Sequence, residues 1–426
     1  MRIFVEDSRR PKPVVLLAAA VAVVVALGVV VIGWLDRGDA PSGFDVAWEL
    51  DGQALDNATP GQDPRNPVPV VIGDVVVLVD RQALVALDVA TGGLRWRMPV
   101  TEDRYCGFGQ GPDALYLNLR DDNDECLTLA RIEPDGREAW RTRVGAAPPA
   151  PGERMVIAGR PDGVVVVVGG SIMAYPVTGG DPKWTHTIPV NDWGDSAYGY
   201  DCRFVDAAIG ADAIATRIGC AEPVFATSSD SAVLELRAIE DGSVRQRGPV
   251  TSGRGQVLLH VSGGGVVTGS PDETGFRLAF HDAQLRQTAV YPLTAASAPR
   301  SLQLPVTELP QDIRISGDLL FALGAGRRPV AIRISTGELE WQAEDGEDAG
   351  CGGLVWDGAL LVCGEERTMS AYELATGDLE ADQDIDVDGL ADPERTLISN
   401  WDRLLRVGDR VIVQDGDESL IGLVRK

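Results

Sequence analysis

Two short strings in this sequence have residue types at a spacing that chemistry could use. Asp384, Asp386 and Asp388 alternate along DIDVDGLADPE (384–394), with Gly389 after them and Asp392 at the ninth place. Alternating oxygens around a glycine turn wrap calcium in an EF-hand loop, which closes on a bidentate Glu at position twelve. Arg395 stands at that place, one residue past Glu394. The string therefore reads either as a partial calcium loop or as an acidic strand edge facing water. His281 with Asp282 resembles half of a catalytic triad, but neighbours on a strand point to opposite faces. His186 and His260 are the other histidines, each within an expected strand. No G-x-S-x-G, C-x-x-C, H-E-x-x-H or P-loop string occurs, which removes the usual signatures of esterase, dithiol, zinc-protease and nucleotide-phosphate chemistry. GFGQG (107–111) is glycine-rich but precedes no helix, and is expected to be a turn.

Cysteines occur at 106, 126, 202, 220, 351 and 363. An even number suits a compartment that permits disulfides. Cys202 and Cys220 lie almost symmetrically about GAD (210–212), and Cys351 and Cys363 about WDG (356–358), as cross-strand neighbours of a tight hairpin would. Cys106 and Cys126 are the third expected pair, and need a bulge or loop to meet. Buried free thiols are the alternative for all six. Trp193, Tyr198 and Tyr200 cluster in NDWGDSAYGYD (191–201). They read either as cover over a structural gap or as a contact surface for a protein or glycan. TAASAPRSLQLPVTELPQ (294–311) reads as an extended linker.

Charge and hydropathy place these residues. Residues 14–35, VVLLAAAVAVVVALGVVVIGWL, carry no charge, and a helix of about that length crosses a hydrocarbon layer of roughly 30 Å. A cleaved signal peptide has an apolar core of only about 7–15 residues, so an uncleaved anchor is expected. Arg2, Arg9, Arg10 and Lys12 precede the span, which puts the N-terminus in the cytoplasm and the rest outside. The formal net charge is −26, and the first 35 residues are slightly positive, so the exported part is more acidic still. Such a surface repels nucleic acid, and that class of partner is excluded.

A repeat organises the remainder. ALDVATGGLRW (86–96) returns as AIRISTGELEW (331–341) and AYELATGDLEA (371–381), with related strings ending at Trp140 and Trp184. In most copies a Gly stands four residues before the Trp, as Gly92 does before Trp96. Weaker copies are AIEDGSVRQ (238–246) and AFHDAQLRQT (279–288). Each follows a short β-branched strand, and the Gly pair makes a hairpin. A period near 40–45 residues indicates propeller blades of four strands. The last copy (402–426) lacks a fourth strand, and FDVAWELDG (44–52), with Trp48, supplies one from the other terminus. The expectation is an all-β, eight-bladed β-propeller (seven blades if the copy at 279–288 is discounted) over residues 44–426. It would be joined to a transmembrane helix by a linker at 36–43 and preceded by a cytoplasmic tail at 1–13. Trp48, Trp96, Trp140, Trp184 and Trp341 are expected to dock each blade on its neighbour.

The pattern A-x-D-x-x-T-G-x-x-x-W, matched at Ala86, Asp88, Thr91, Gly92 and Trp96, resembles the repeat of the pyrroloquinoline-quinone (PQQ) dehydrogenase family and its non-enzymatic relatives, including the outer-membrane assembly propeller. Arg333 and Glu373 depart from it at the Asp position. The enzymes of that family carry an adjacent cysteine pair against the cofactor, a calcium site and a catalytic Asp. No two cysteines are adjacent here and no ligand set carries over, so no cofactor is expected. The resemblance is specific for fold and covers enzymes and scaffolds alike; with the expected anchor and the missing ligand set, the first reading is a membrane-anchored, extracytoplasmic, non-catalytic scaffold that binds an envelope protein. A ligand-sensing or solute-binding ectodomain is the second reading, and a PQQ-dependent dehydrogenase the third.

Overall fold

The computed structural model describes residues 44–51, 68–79, 83–100, 104–145, 155–188, 201–221, 233–249, 256–272, 275–294, 313–323, 328–344, 353–363, 368–386, 401–415 and 419–425. The expected span at 14–35 and the linker at 36–43 lie outside them.

Runs such as Val75–Val79 and Gly163–Val168 are buried along their whole length. β-Branched side chains fit a pleated strand covered on both faces. These runs form the second strands of antiparallel four-stranded sheets, and eight such blades follow one another along the chain. Blades 1 to 7 span residues 68–99, 105–143, 156–187, 201–249, 257–294, 314–342 and 354–386. Blade 5, the weakest copy in sequence, is a complete sheet. Blade 8 takes three strands from 401–425 and its fourth from Phe44–Asp51, which pairs antiparallel with Ser419–Arg425. Phe44 and Asp45 also pair with Ile385 and Asp386 of blade 7, so the closing strand is gripped on both sides.

Among the described residues the apolar core is divided into eight clusters, each filling the gap between two consecutive blades. One unites Trp48, Ile412 and Leu420 of blade 8 with Val76 and Val85 of blade 1, so the ring closes. The fourth strands form the rim and alternate between exposed and half-buried residues.

Each tryptophan of the repeat reaches forward to the next blade. Trp96 of blade 1 donates its indole N–H to Pro134 O at 2.7 Å and lies over Gly136 of blade 2. Trp48, Trp140 and Trp341 likewise donate at 2.8 Å to Val89 O, Val177 O and Leu374 O. Trp48 covers Gly92, Trp140 covers Gly179, Trp184 covers Gly242 and Trp341 covers Gly377. The glycine that matters to a tryptophan therefore sits in the following copy, between 36 and 58 residues on. The turn itself is locked by Asp88, whose carboxylate accepts the Thr91 N–H and O–H at 2.8 and 3.0 Å and pairs with Arg95. In the copy where Arg333 replaces the Asp, Glu340 stands seven residues on at 2.6 Å, the same pair with its charges exchanged.

Gly136 has φ +82°, and a Cβ there would stand 2.6 Å from the Trp96 ring. Gly136→Ala is expected to cost about 2–4 kcal/mol through overpacking and left-handed strain. In a Trp96→Ala background the same change should cost under half as much. Chemical denaturation of the double-mutant cycle measures the coupling.

Candidate functional site

The ring has two dissimilar ends. Turns between first and second strands, and between third and fourth, fall at one end because neighbouring strands are antiparallel. All of them are short, such as 73–74, 161–162 and 239–243. Connections between second and third strands, and between blades, leave from the other end. The chain departs and returns there at 52–67, 189–200, 222–232, 295–312 and 387–400. Trp193, Tyr198 and Tyr200 lie in the second of these and are outside the described residues.

The cysteines gather at this same end. Cys106 and Cys126 form a disulfide with Cα atoms 5.9 Å apart. A bulge between Tyr105 and Gly107 turns Cys106 towards the connection holding Cys126. Cys202 is disulfide-bonded and stands directly across the ladder from Cys220. Cys363 closes a second strand, and Cys351 lies outside the described residues. The string at 107–111 is not a turn: Gly107–Gln110 belong to the first strand of blade 2. Its glycines allow close approach to blade 3, since a Cβ on Gly109 would stand 2.3 Å from Ile157 O.

Asp384 and Asp386 belong to the extended fourth strand of blade 7, with Asp384 opposite Thr368 and Asp386 opposite Asp45. Asp388 is outside the described residues, among which no cluster of three metal-ligating side chains occurs. His281 is buried with Nε2 3.4 Å from Thr268 Oγ1, whereas Asp282 caps its own turn by accepting from Gln284 and Arg286 at 2.9 Å. The two form no catalytic pair. His186 Nε2 bonds Asp241 O of the next blade at 2.7 Å.

Two polar groupings on blade 4 escaped the sequence reading. On the face towards blade 3, the fully buried Glu235 is bound by Arg237 Nε at 2.9 Å and by Arg247 Nε at 2.7 Å. Arg237 also donates to Gly242 O and lies over the Phe204 ring. Each guanidinium of this network has the Glu235 carboxylate as its counter-charge. On the face towards blade 5, Asp206 accepts N–H groups from Ala207 at 2.9 Å and from Leu258 of blade 5. Arg217 is its cross-strand neighbour. Gln256 Nε2 donates to Thr268 Oγ1 at 2.8 Å, which leads on to His281. Arg217 Nε, Gln256 Oε1 and His281 Nδ1 are buried without hydrogen-bond partners. Burial pushes the Asp206 carboxyl up to about 6, against the two N–H groups and the Arg217 charge. A cleft between blades 3 and 4 is lined by Arg160, Asp162, Tyr175, Lys183, Trp184 and Glu240, but both of its cations are tied to Asp162.

No protein-family model and no curated protein matches the chain. Among solved structures it is similar to BamB from Moraxella catarrhalis, at 13% identity over 89% of this chain and 99% of that one, TM-score 0.48. The computationally designed Ika8 protein gives 12% over 86% and 98%, TM-score 0.52. The quinohemoprotein alcohol dehydrogenase from Comamonas testosteroni gives 13% over 90% and 76%, TM-score 0.52. At these identities the likeness is one of fold. A designed protein and a dehydrogenase share the ring, so the ring does not select a function.

Cys106 and Cys126 close a loop of 20 residues, worth about 3 kcal/mol in the chain-entropy picture. Replacing both with Ser is expected to lower the unfolding free energy by about 2–4 kcal/mol while leaving the far-UV CD of the ring intact. Urea titration followed by far-UV CD and tryptophan fluorescence checks this.

Proposed function

We propose that this protein is a membrane-anchored, extracytoplasmic binding module which presents the long-connection end of its ring to a protein of the cell envelope and performs no chemistry of its own. The observation that carries the reading is the division of the ring. Short turns occupy one end, while the strand ends that flank the longest intervening stretches of sequence, and the Cys106–Cys126 disulfide, lie at the other. Recognition concentrates on connections held by a rigid scaffold. The route of the chain supports the same orientation. Phe44 opens the fourth strand of blade 8 opposite Arg425, and Arg425 pairs with the short turn at Asp357. A linker at 36–43 reaches about 28 Å at most, so an anchor at 14–35 holds the short-turn end nearer the bilayer and leaves the other end free.

A ligand-sensing ectodomain is the second reading. The unpartnered polar atoms between blades 4 and 5 favour it, because a small polar molecule could satisfy them.

Photo-cross-linking of the full-length protein in its own membrane separates these readings. Probes belong at Asp122, almost fully exposed in a long-end connection, and at Arg137 in a short turn. Adducts with one dominant envelope protein from Asp122 and not Arg137, lost on Trp193→Ala with Tyr198→Ala, are the expected result. Recovery of the unadducted chain from both probes would remove stable scaffolding and direct attention to small ligands.

A further inference from the structure

We infer that the cleft between blades 3 and 4 is a binding site for a neutral hydroxylated ligand, one ring of a sugar. Of the five tryptophan–glycine clasps, it lies at the one whose indole N–H has left its carbonyl. Trp48, Trp96, Trp140 and Trp341 each bond the next blade through that N–H. Trp184 has no hydrogen-bond partner among the described residues; its ring contact is with His186, centroids 5.8 Å apart. It covers Gly242 with its Cζ3–Cε3 edge, whereas the other four bring Cδ2, at the centre of the indole, against their glycine. His186 is the cause. Two residues past the tryptophan the other copies have Leu50, Met98, Thr142 and Ala343. Here an imidazole takes part of the room above Gly242, its Cδ2 2.6 Å from where a Cβ would stand, and bonds Asp241 O. Between blades 4 and 5, by contrast, tryptophan and glycine are both replaced, by Gln246 and by Leu285 at φ +59°.

The carbonyl left over is identifiable. Ala238 N–H bonds Ser243 O at 2.8 Å and Gly242 N–H bonds Ala238 O at 3.0 Å, as Asp88 N–H bonds Gly93 O and Gly92 N–H bonds Asp88 O in blade 1. Ile239 therefore stands where Val89 stands, and Val89 O is the acceptor of Trp48. Trp184 and Ile239 both line the cleft. A donor and an acceptor that meet each other in the other clasps are thus offered together to an incoming group. That group must accept one hydrogen bond and donate another, which a hydroxyl does and neither a carboxylate nor an ammonium can. Around the pair the rim carries Arg160 and Lys183 against Asp162 and Glu240, two charges of each sign, so no net field selects an ion. Lys183 Nζ spends two of its three N–H groups on Asp162, at 2.7 and 3.2 Å. The third, and the spare lone pairs of the carboxylates, suit further hydroxyls on adjacent carbons. Val164 and Ala174 add an apolar floor for the C–H face of a ring. The cleft offers about 260 Å³, below the roughly 300–1,000 Å³ of a drug-sized pocket, so one ring is the largest body it seats.

Indole N–H resonances of the full-length chain in phosphatidylcholine nanodiscs test this. Trp184→Phe, which keeps a ring over Gly242 but removes the N–H, assigns the signal. Without ligand the Trp184 N–H is expected to exchange with water at least about tenfold faster than those of Trp48, Trp96, Trp140 and Trp341. Free hexoses and N-acetylhexosamines are then titrated, with sodium acetate, methylammonium chloride and acetamide as controls. At least one sugar is expected to shift the Trp184 signal saturably at millimolar concentration and to slow its exchange, while the controls do neither. His186→Leu returns the room above Gly242 to the indole. It should abolish the response to sugar and slow the exchange of Trp184 to that of the other clasps. If Trp184→Phe does not fold, the signal that moves in His186→Leu is the assignment. Slow exchange of the Trp184 N–H in the free protein would overturn the inference. So would a panel with no saturable shift, or an equal response to acetate, methylammonium or acetamide.

Discussion

The ring depends on an indole lying where a Cβ atom would otherwise be. Adjacent blades offer one another mostly aliphatic surface, which is strong but does not fix a rotation angle. A tryptophan over a glycine does fix it, because the ring plane can approach only where the side chain is missing and the indole N–H must meet a particular carbonyl. Each such pair spans two copies of the repeat, and five of the eight contacts carry one. The fit also makes the two residues conditional on each other. Between blades 4 and 5 both have gone, and Leu285 fills the space from the opposite side. Between blades 5 and 6 only half remains, with Ala289 against Gly337.

Among the described residues blade 4 holds Asp206, Glu235 and Arg237, most of the buried charge, with Arg131 of blade 2 the other such group, and it treats that charge in opposite ways on its two faces. Glu235 is saturated by two guanidinium groups, an arrangement whose partners are costly to remove and which therefore stiffens the contact with blade 3. Asp206 is bonded only through backbone N–H groups, and three polar atoms around it are left over. A bonded carboxylate network and one with leftover polar atoms thus lie on opposite faces of the same sheet.

The architecture was readable in the sequence because its cause is periodic. Val-rich strands, glycine turns and tryptophans recur at a fixed interval, and the incomplete last copy points to Phe44–Asp51. The partner of each glycine was harder to see: Gly92 and Trp96 are neighbours in the string, yet Gly92 receives Trp48. GFGQG misled because glycine on a first strand answers to the backbone of the next blade, which no local pattern records. Asp206 and Arg217 left a usable trace. Counting outward from the hairpin at 210–212 brings Cys202 to Cys220, and the same count brings Asp206 to Arg217. What it cannot supply is the depth at which the carboxylate is buried, since that is set by blade 5.

The strand Phe44–Asp51 has one further consequence, which concerns time. It leaves the ribosome first among the strands and finds its partner, Ser419–Arg425, last. Seven blades can form in order from local hairpins, each with modest loop-closure entropy. The eighth joins residues more than three hundred and fifty positions apart, and such distant pairings are slow. Until those two strands pair, the chain is an open arc whose Trp48 has no sheet beneath it and whose terminal blades show apolar flanks.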